Sequence, residues 1–363
     1  MGAPLDARPP STSPRFVHAD APTRVYWEIT RACSLACRHC RAEATPVADA
    51  SELTHRAGLR LISQLAAADP KPHLILTGGD PLERGDLFDL IAAARALGLH
   101  VSVSPSATPR LTADVIVRLS EAGVDAISLS VDGSTEARHD DIRRIEGTFA
   151  RTLVAAARAR EVGLPFQVNT LVSAETLPDM PEIEKLVRRL GAARWSLFFL
   201  VTVGRGSVLE PIDAAAAERL LVWFAERGKV RPGPVFTTTE APFYRRIVGH
   251  VGGAPPGHGH AAGIRDGNGV MFIGHDGDVY PSGFLPVSAG NVGLENPLRI
   301  YRESPLFRGL RDVDSFHGRC GRCELRGACG GSRARAWAAT GDVLGEDPLC
   351  VHVPMADRHA AAV

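Results

Sequence analysis

The sequence predicts a parallel α/β protein, a curved or partial barrel, followed by a small cysteine-rich domain. Three observations carry this. Strand-like and helix-like segments alternate from about residue 24 to 205, the pattern of a parallel sheet with crossover helices. Within the strands, apolar residues alternate with polar ones. The 7 cysteines divide into three near the start and four near the end.

Strands are expected at 24–30, 73–77, 99–104, 125–131, 165–171 and 195–201. Ala/Leu/Arg-rich helical runs lie near 54–68, 86–97, 111–122, 147–162 and 179–190, with a sixth at 212–228. Gly98, Gly123 and Gly163 stand where helices should stop, because glycine readily takes the left-handed cap conformation. Val25, Trp27 and Ile29 alternate with Tyr26, Glu28 and Thr30, and Ile127, Leu129 and Val131 with Ser128, Ser130 and Asp132. A strand's side chains alternate between faces, and sheets covered on both faces usually read as unbroken apolar runs. One apolar face under helices and one polar face enclosing a wet lumen fits better than a flat doubly wound sheet; half-exposed strands are the plainer alternative.

Around this core, residues 1–20 form a Pro/Ala/Ser-rich leader expected to be flexible. The barrel spans 21–230, a Pro/Gly/His-rich connector 231–264, a second domain 265–355 and a short tail 356–363. The second domain opens with a hairpin over 269–280, with Gly274 to Gly277 as its turn.

A formal net charge of +0 and a pI near 7.2 argue against nucleic acid as partner. No apolar run is long enough to span a membrane, and no basic-then-apolar leader marks secretion, so a cytoplasmic location is expected. Disulfides are rare there, and an odd cysteine count fits a disulfide framework badly.

Cys33, Cys37 and Cys40 follow the first strand at spacing C-x3-C-x2-C. Thiolates select iron–sulfur clusters, zinc or copper(I). Three cysteines can hold three irons of a 4Fe–4S cluster and leave the fourth open to a small molecule; a zinc site would want a fourth ligand. The loop resembles the signature of the radical SAM superfamily, which implies a partial (β/α)6 barrel of the TIM type. It also implies S-adenosylmethionine on the open iron and its reductive cleavage to a 5′-deoxyadenosyl radical. The resemblance extends to Gly78-Gly79-Asp80, similar to the family's GGE motif with Asp in place of Glu. It implies contacts to S-adenosylmethionine from these residues, from Ser130 and Asp132 at the fourth strand's end, from Asn169 on the fifth, and from Arg143. Ser130 and Asn169 read equally as satisfied polar core residues. His39 is expected to shield the cluster.

The second set, Cys320, Cys323, Cys329 and Cys350, resembles the SPASM or twitch extensions of radical SAM enzymes, which hold auxiliary 4Fe–4S clusters. Ser282 and Ser332 stand where a full SPASM domain has cysteines. The resemblance therefore implies one auxiliary cluster, two 4Fe–4S clusters in all; four thiolates would equally suit a structural zinc. A fully ligated cluster implies electron transfer, net oxidative chemistry and a flavodoxin- or ferredoxin-like donor.

Residues 200–206, 237–240 and 330–336 resemble radical SAM enzymes of haem d1 and alternative haem biosynthesis. That implies a carboxylate-bearing small molecule, tetrapyrrole or sugar-like, undergoing oxidative decarboxylation or remodelling. Arg205, Arg333 and Arg335 become candidates for its carboxylates, against a structural role on a solvated face or cap. A peptide maturase and a non-catalytic iron–sulfur or zinc protein are the two alternatives.

Overall fold

The computed structural model describes residues 17–252 and 263–360. Strand β1 (Arg24–Glu28) leads to α1 (His55–Ala66), and the unit repeats through β2 (His73–Thr77), α2 (Leu87–Ala96), β3 (His100–Val103), α3 (Ala113–Glu121) and β4 (Ala126–Ser130). Two helices, α4 (Glu136–Arg143) and α5 (Thr148–Glu161), precede β5 (Phe166–Val172). Next come α6 (Met180–Leu190), β6 (Arg194–Phe199), α7 (Ala214–Arg227), β7 (Val235–Thr239) and α8 (Tyr244–His250). The C-terminal part holds β8 (Val270–Ile273), β9 (Asp278–Tyr280) and β10 (Gly290–Asn291). Five short helices complete it: α9 (Pro297–Glu303), α10 (Pro305–Arg311), α11 (Gly318–Arg322), α12 (Arg333–Thr340) and α13 (Met355–Ala360).

Helix starts follow from local chemistry. Thr54, Thr112, Thr135, Asp213 and Ser332 each accept a hydrogen bond from a backbone N–H in the first turn of the helix that follows, satisfying donors that the helix itself leaves unpaired.

The ten strands of the described residues lie in one sheet, ordered β10-β9-β8-β1-β2-β3-β4-β5-β6-β7. The pairs from β8 through β1 to β7 are parallel, and the β8–β9 and β9–β10 pairs antiparallel. Val25, Trp27, Leu74, Leu76, Val101, Val103, Ile127, Leu129, Val168 and Trp195 face outward into the helical layer. Each such side chain contributes about 1.5–3 kcal/mol by leaving water. Gly58 of α1 sits directly on Trp27: a Cβ there would lie 2.7 Å from the indole. On the other face, Ser130, Asn169 and Ser196 are partners in register across β4, β5 and β6, with Thr237 next on β7. This is the polar lumen the alternation predicts. The sheet curves round it, and Phe284, just past β9, meets Phe198 on β6 with ring centroids 6.5 Å apart. The result is a partial barrel.

Several local expectations change. The strand series does not stop at six: β7 and α8 lie within the stretch expected as a connector, whose residues 253–262 fall outside the described ones. The hairpin expected at 269–280 forms, but β8 pairs directly with β1, so the cysteine-rich part shares the barrel's sheet. Of the leader, 1–16 lies outside the described residues, while 17–20 is docked. The His18 carbonyl accepts from the Tyr301 hydroxyl at 2.6 Å, and that of Asp20 from Arg302 at 2.6 Å. The tail is helical through Ala360, with Asp357 paired to Arg322 at 2.8 Å. Among the described residues no helix is long and apolar enough to cross a membrane.

Candidate active site

The three-cysteine loop leaves the end of β1 and lies over the C-terminal ends of the parallel strands, where barrel active sites form. Cys33 and Cys37 are buried and Cys40 half-buried, none in a disulfide. Leu35 N–H points at the Cys33 sulfur at 3.4 Å, and the Ser106 hydroxyl stands 3.8 Å from it. Burial pushes the Cys33 thiol up to about 11 and raises that of Cys37 as well. Thiolates gathered here therefore need a cation, and a soft metal supplies one while displacing the protons.

Gly78-Gly79-Asp80 is the brace under this loop. Gly79 N–H donates to Thr30 at 2.8 Å and Asp80 N–H to Ala32 at 2.7 Å. A Cβ on Gly78 would lie 2.5 Å from the Thr30 carbonyl oxygen, and one on Gly79 2.4 Å from that of Ala32. The glycines are thus required by the cysteine loop's own backbone. Asp80 is fully buried. Its carboxylate accepts from Leu82 N–H at 3.1 Å, Ser106 N–H at 3.2 Å and the Thr108 hydroxyl at 2.7 Å. It shapes the β3 loop instead of facing the lumen, which departs from the expected cofactor contact. Burial raises its pKa. Ser106 and Thr108 went unnoticed in the sequence; their position just past the third strand is the signal that could have found them.

Asp132 and Arg143 form a buried ion pair beside the loop. Asp132 also accepts from Leu171 N–H at 2.7 Å, and its own N–H donates to His139 Nδ1 at 3.1 Å. Arg143 reaches the Cys37 sulfur at 3.8 Å. Ser130 and Asn169 are half-buried lumen neighbours, Asn169 accepting from Gln167 at 2.5 Å. His39 keeps a buried Nδ1 with no partner among the described residues, and burial, helped by Arg143, drives its pKa down to about 4. Its ring is neutral beside the cysteines.

The three arginines expected to meet substrate carboxylates are engaged elsewhere. Arg205 donates to the carbonyls of Cys37 and Ala44, each at 3.0 Å, and so clamps the cysteine loop. Arg333, fully buried, donates to the Gly345 carbonyl at 2.6 Å and approaches the Cys320 sulfur at 3.5 Å. Arg335 pairs with buried Asp347 at 3.0 Å. Each is used to hold a loop together, although the buried Nη2 of Arg205 has no hydrogen-bond partner among the described residues.

Cys320, Cys323, Cys329 and Cys350 all line one cavity, together with Phe243 and His352. Burial pushes Cys323 to about 11 and Cys329 to about 12. Backbone N–H groups of Leu325 and Asp347 aim at Cys323 and Cys320, both at 3.4 Å. Four convergent thiols with donors turned toward sulfur suit a cluster or a tetrahedral metal. His352 is also near, but its Nε2 is bonded to Glu324 at 2.8 Å. Ser332 caps α12 and bonds to Glu240, while Ser282 accepts from Phe284 N–H at 3.3 Å. Both serines serve the fold.

Residues 27–187 match the model of the Radical SAM superfamily. The chain is 39% identical over 345 residues to the AdoMet-dependent heme synthase of Methanosarcina barkeri, covering 92% of this chain and 98% of that one. It is 28% identical to the pre-heme d1 synthase of Dinoroseobacter shibae, over 93% of this chain and 88% of the other. Among solved structures, Streptococcus suis SuiB bound to S-adenosylmethionine superposes with a TM-score of 0.72 at 17% identity, over 92% of this chain and 78% of SuiB; that is a likeness of fold.

Proposed function

The chain belongs to the radical SAM superfamily, and on that premise we propose that it acts in haem formation, removing carboxylate side chains of a tetrapyrrole by oxidative decarboxylation. The observation that carries this reading is the near full-length similarity to an AdoMet-dependent heme synthase. The polar lumen wall of Ser130, Asn169 and Ser196 beneath the three-cysteine loop supports it.

In this reading Cys33, Cys37 and Cys40 hold the cluster that binds S-adenosylmethionine, and Cys320, Cys323, Cys329 and Cys350 an auxiliary 4Fe–4S cluster. When bound, these groups supply one-electron chemistry: S-adenosylmethionine is cleaved to a hydrogen-abstracting radical, and an electron can be taken up at the second site. The protein's part is placement. Gly78 and Gly79 let the brace close on the cysteine loop, and Arg205 fixes that loop from the β6 side. Arg143 sets a positive charge beside Cys37, with Asp132 as its counter-ion. Ser130 and Asn169 offer neutral hydrogen-bonding groups on the lumen wall, suited to a polar cofactor. Buried, neutral His39 covers the loop without adding charge. A flavodoxin- or ferredoxin-like protein would deliver the electrons.

The test is anaerobic turnover of the reconstituted protein with S-adenosylmethionine, dithionite and an iron tetrapyrrole bearing propionates. The expected result is 5′-deoxyadenosine in step with carbon dioxide release and propionate-to-vinyl conversion by mass spectrometry. If 5′-deoxyadenosine forms but the tetrapyrrole emerges unaltered, the substrate assignment falls and a peptide substrate becomes the better reading. If none forms while both clusters are loaded, the protein is not a catalyst of this kind.

A further inference from the structure

With Arg205, Arg333 and Arg335 engaged in the fold, the carboxylates of a substrate need another cation. Arg41 directly follows Cys40, and its side chain crosses from the cysteine loop into the lumen. Its guanidinium carbon lies 4.3 Å from the centroid of the Phe272 ring. Its Nη1 is 3.0 Å from the Glu28 carboxylate. Glu28 is held on its other oxygen by His275 Nδ1 at 3.1 Å. The Arg41 side chain keeps 20% of its surface exposed, and its Nε and Nη2 have no protein acceptor among the described residues. An arginine has five N–H donors in a planar fork, so the donors on Nε and Nη2 are left for a ligand.

The surroundings are aromatic. Phe272 on β8 is the register partner of Tyr26 on β1 and therefore shares the lumen face with Glu28, two residues along. Tyr280, the partner of Phe272 on β9, has its ring centroid 6.2 Å away. Phe284 extends the surface across the lumen to Phe198. Gly283 makes room for the stack: a Cβ there would lie 2.9 Å from Arg41 Nε and 3.1 Å from the Phe272 ring.

We infer that Arg41, stacked on buried Phe272 and oriented by Glu28, receives a carboxylate of the substrate, while the half-buried rings of Tyr280, Phe284 and Phe198 form the surface on which its flat ring system lies. The inference rests on the tetrapyrrole reading and adds the subsite. Aromatic faces pair well with a planar macrocycle in offset or tilted contact. They also exclude water from beside the guanidinium, which strengthens its hold on an anion. Glu28 balances Arg41 before substrate arrives and keeps the fork turned inward.

The experiment compares two probes on the cluster-loaded protein by absorbance titration: coproporphyrin III, and its tetra-amide, which has the same ring and size but no charge. Wild type should bind the acid about tenfold more tightly than the amide, the scale of one charged hydrogen bond. Arg41→Gln should lose that preference by weakening the acid alone, and Arg41→Lys should keep part of it. Phe284→Leu, at a ring that pairs with Phe198 and not with Arg41, should weaken both probes while iron content stays at the wild-type level. The subsite is overturned if Arg41→Gln keeps the preference, or if it weakens acid and amide equally as a structural lesion would. It is also overturned if Phe284→Leu binds both probes as wild type does. Wild type binding neither probe removes the tetrapyrrole reading itself.

Discussion

The Arg143 guanidinium bridges the carboxylate of Asp132 and the sulfur of Cys37, the latter at 3.8 Å. Only 12% of the Arg143 side chain and 2% of that of Asp132 remain exposed. Removing one member of such a pair leaves an uncompensated charge away from water, which costs about 3–5 kcal/mol. Asp132→Asn is therefore expected to lower the anaerobic thermal unfolding midpoint sharply. An unchanged midpoint would show that Arg143 finds its counter-charge elsewhere.

The same pair sets an acid limit. Burial raises the Asp132 pKa, but the Arg143 guanidinium, with His39, His139 and the Leu171 N–H beside it, together outweigh burial and carry it from 3.8 down to about 2. A group whose folded pKa is depressed stabilises fully above its unfolded value and loses that contribution as pH falls through the folded one. About 2 kcal/mol should thus be present above pH ~4 and disappear toward pH ~2. Denaturant titrations across that range should show the loss in wild type and a flatter profile in Asp132→Asn.

Arg205 joins β6's following loop to the cysteine loop through two carbonyls at 3.0 Å. Its backbone adds a third tie, with Arg205 N–H donating to the Cys40 carbonyl at 3.1 Å. Arg205→Ala is expected to destabilise by about 2–3 kcal/mol, since charged donors are lost and carbonyls are left wanting. Iron at the first site should then be released faster to a chelator than in wild type. Lysine, a point charge without the planar fork, should restore one of the two contacts and an intermediate release rate.

What the sequence made legible and what it hid divide along physical lines. Cys33, Cys37 and Cys40 stood out because metal ligation on one loop is encoded in local spacing, and the lumen stood out because strand alternation is local too. Strand β7 did not: Val235-Phe-Thr-Thr-Thr239 lies among prolines and glycines. Its strand character comes from pairing with β6, where Phe236 sits opposite Trp195 with ring centroids 5.4 Å apart. Helix α4 was hidden by its charge, as only His139, Asp140 and Ile142 are buried along Glu136–Arg143. Arginines were hardest of all. A sequence displays a guanidinium but not its partners, so it leaves Arg205, Arg333 and Arg335 between substrate and structural roles and does not single out Arg41.

Gly79 tests whether the brace matters more to the loop than to anything bound near it. A methyl group there would lie 2.4 Å from the Ala32 carbonyl oxygen and 2.5 Å from that of Arg31, both backbone atoms that cannot swing aside as a side chain would. Gly79→Ala should therefore displace the cysteine loop and empty the first site selectively. Iron content should fall toward the level of the second site alone.

The two-site count itself is open to direct measurement. Four convergent, half-buried thiols at the second site, with N–H donors turned toward sulfur, favour a cluster, although four thiolates would also hold zinc. With a full 4Fe–4S cluster at each site, wild type should carry about eight irons with matching sulfide. The triple variant Cys33→Ala, Cys37→Ala, Cys40→Ala should retain about four, because the two thiol sets lie on separate loops and Arg333 braces only the second. A wild type holding about four irons plus one zinc would assign the second site to zinc and remove the electron acceptor on which the oxidative reading depends.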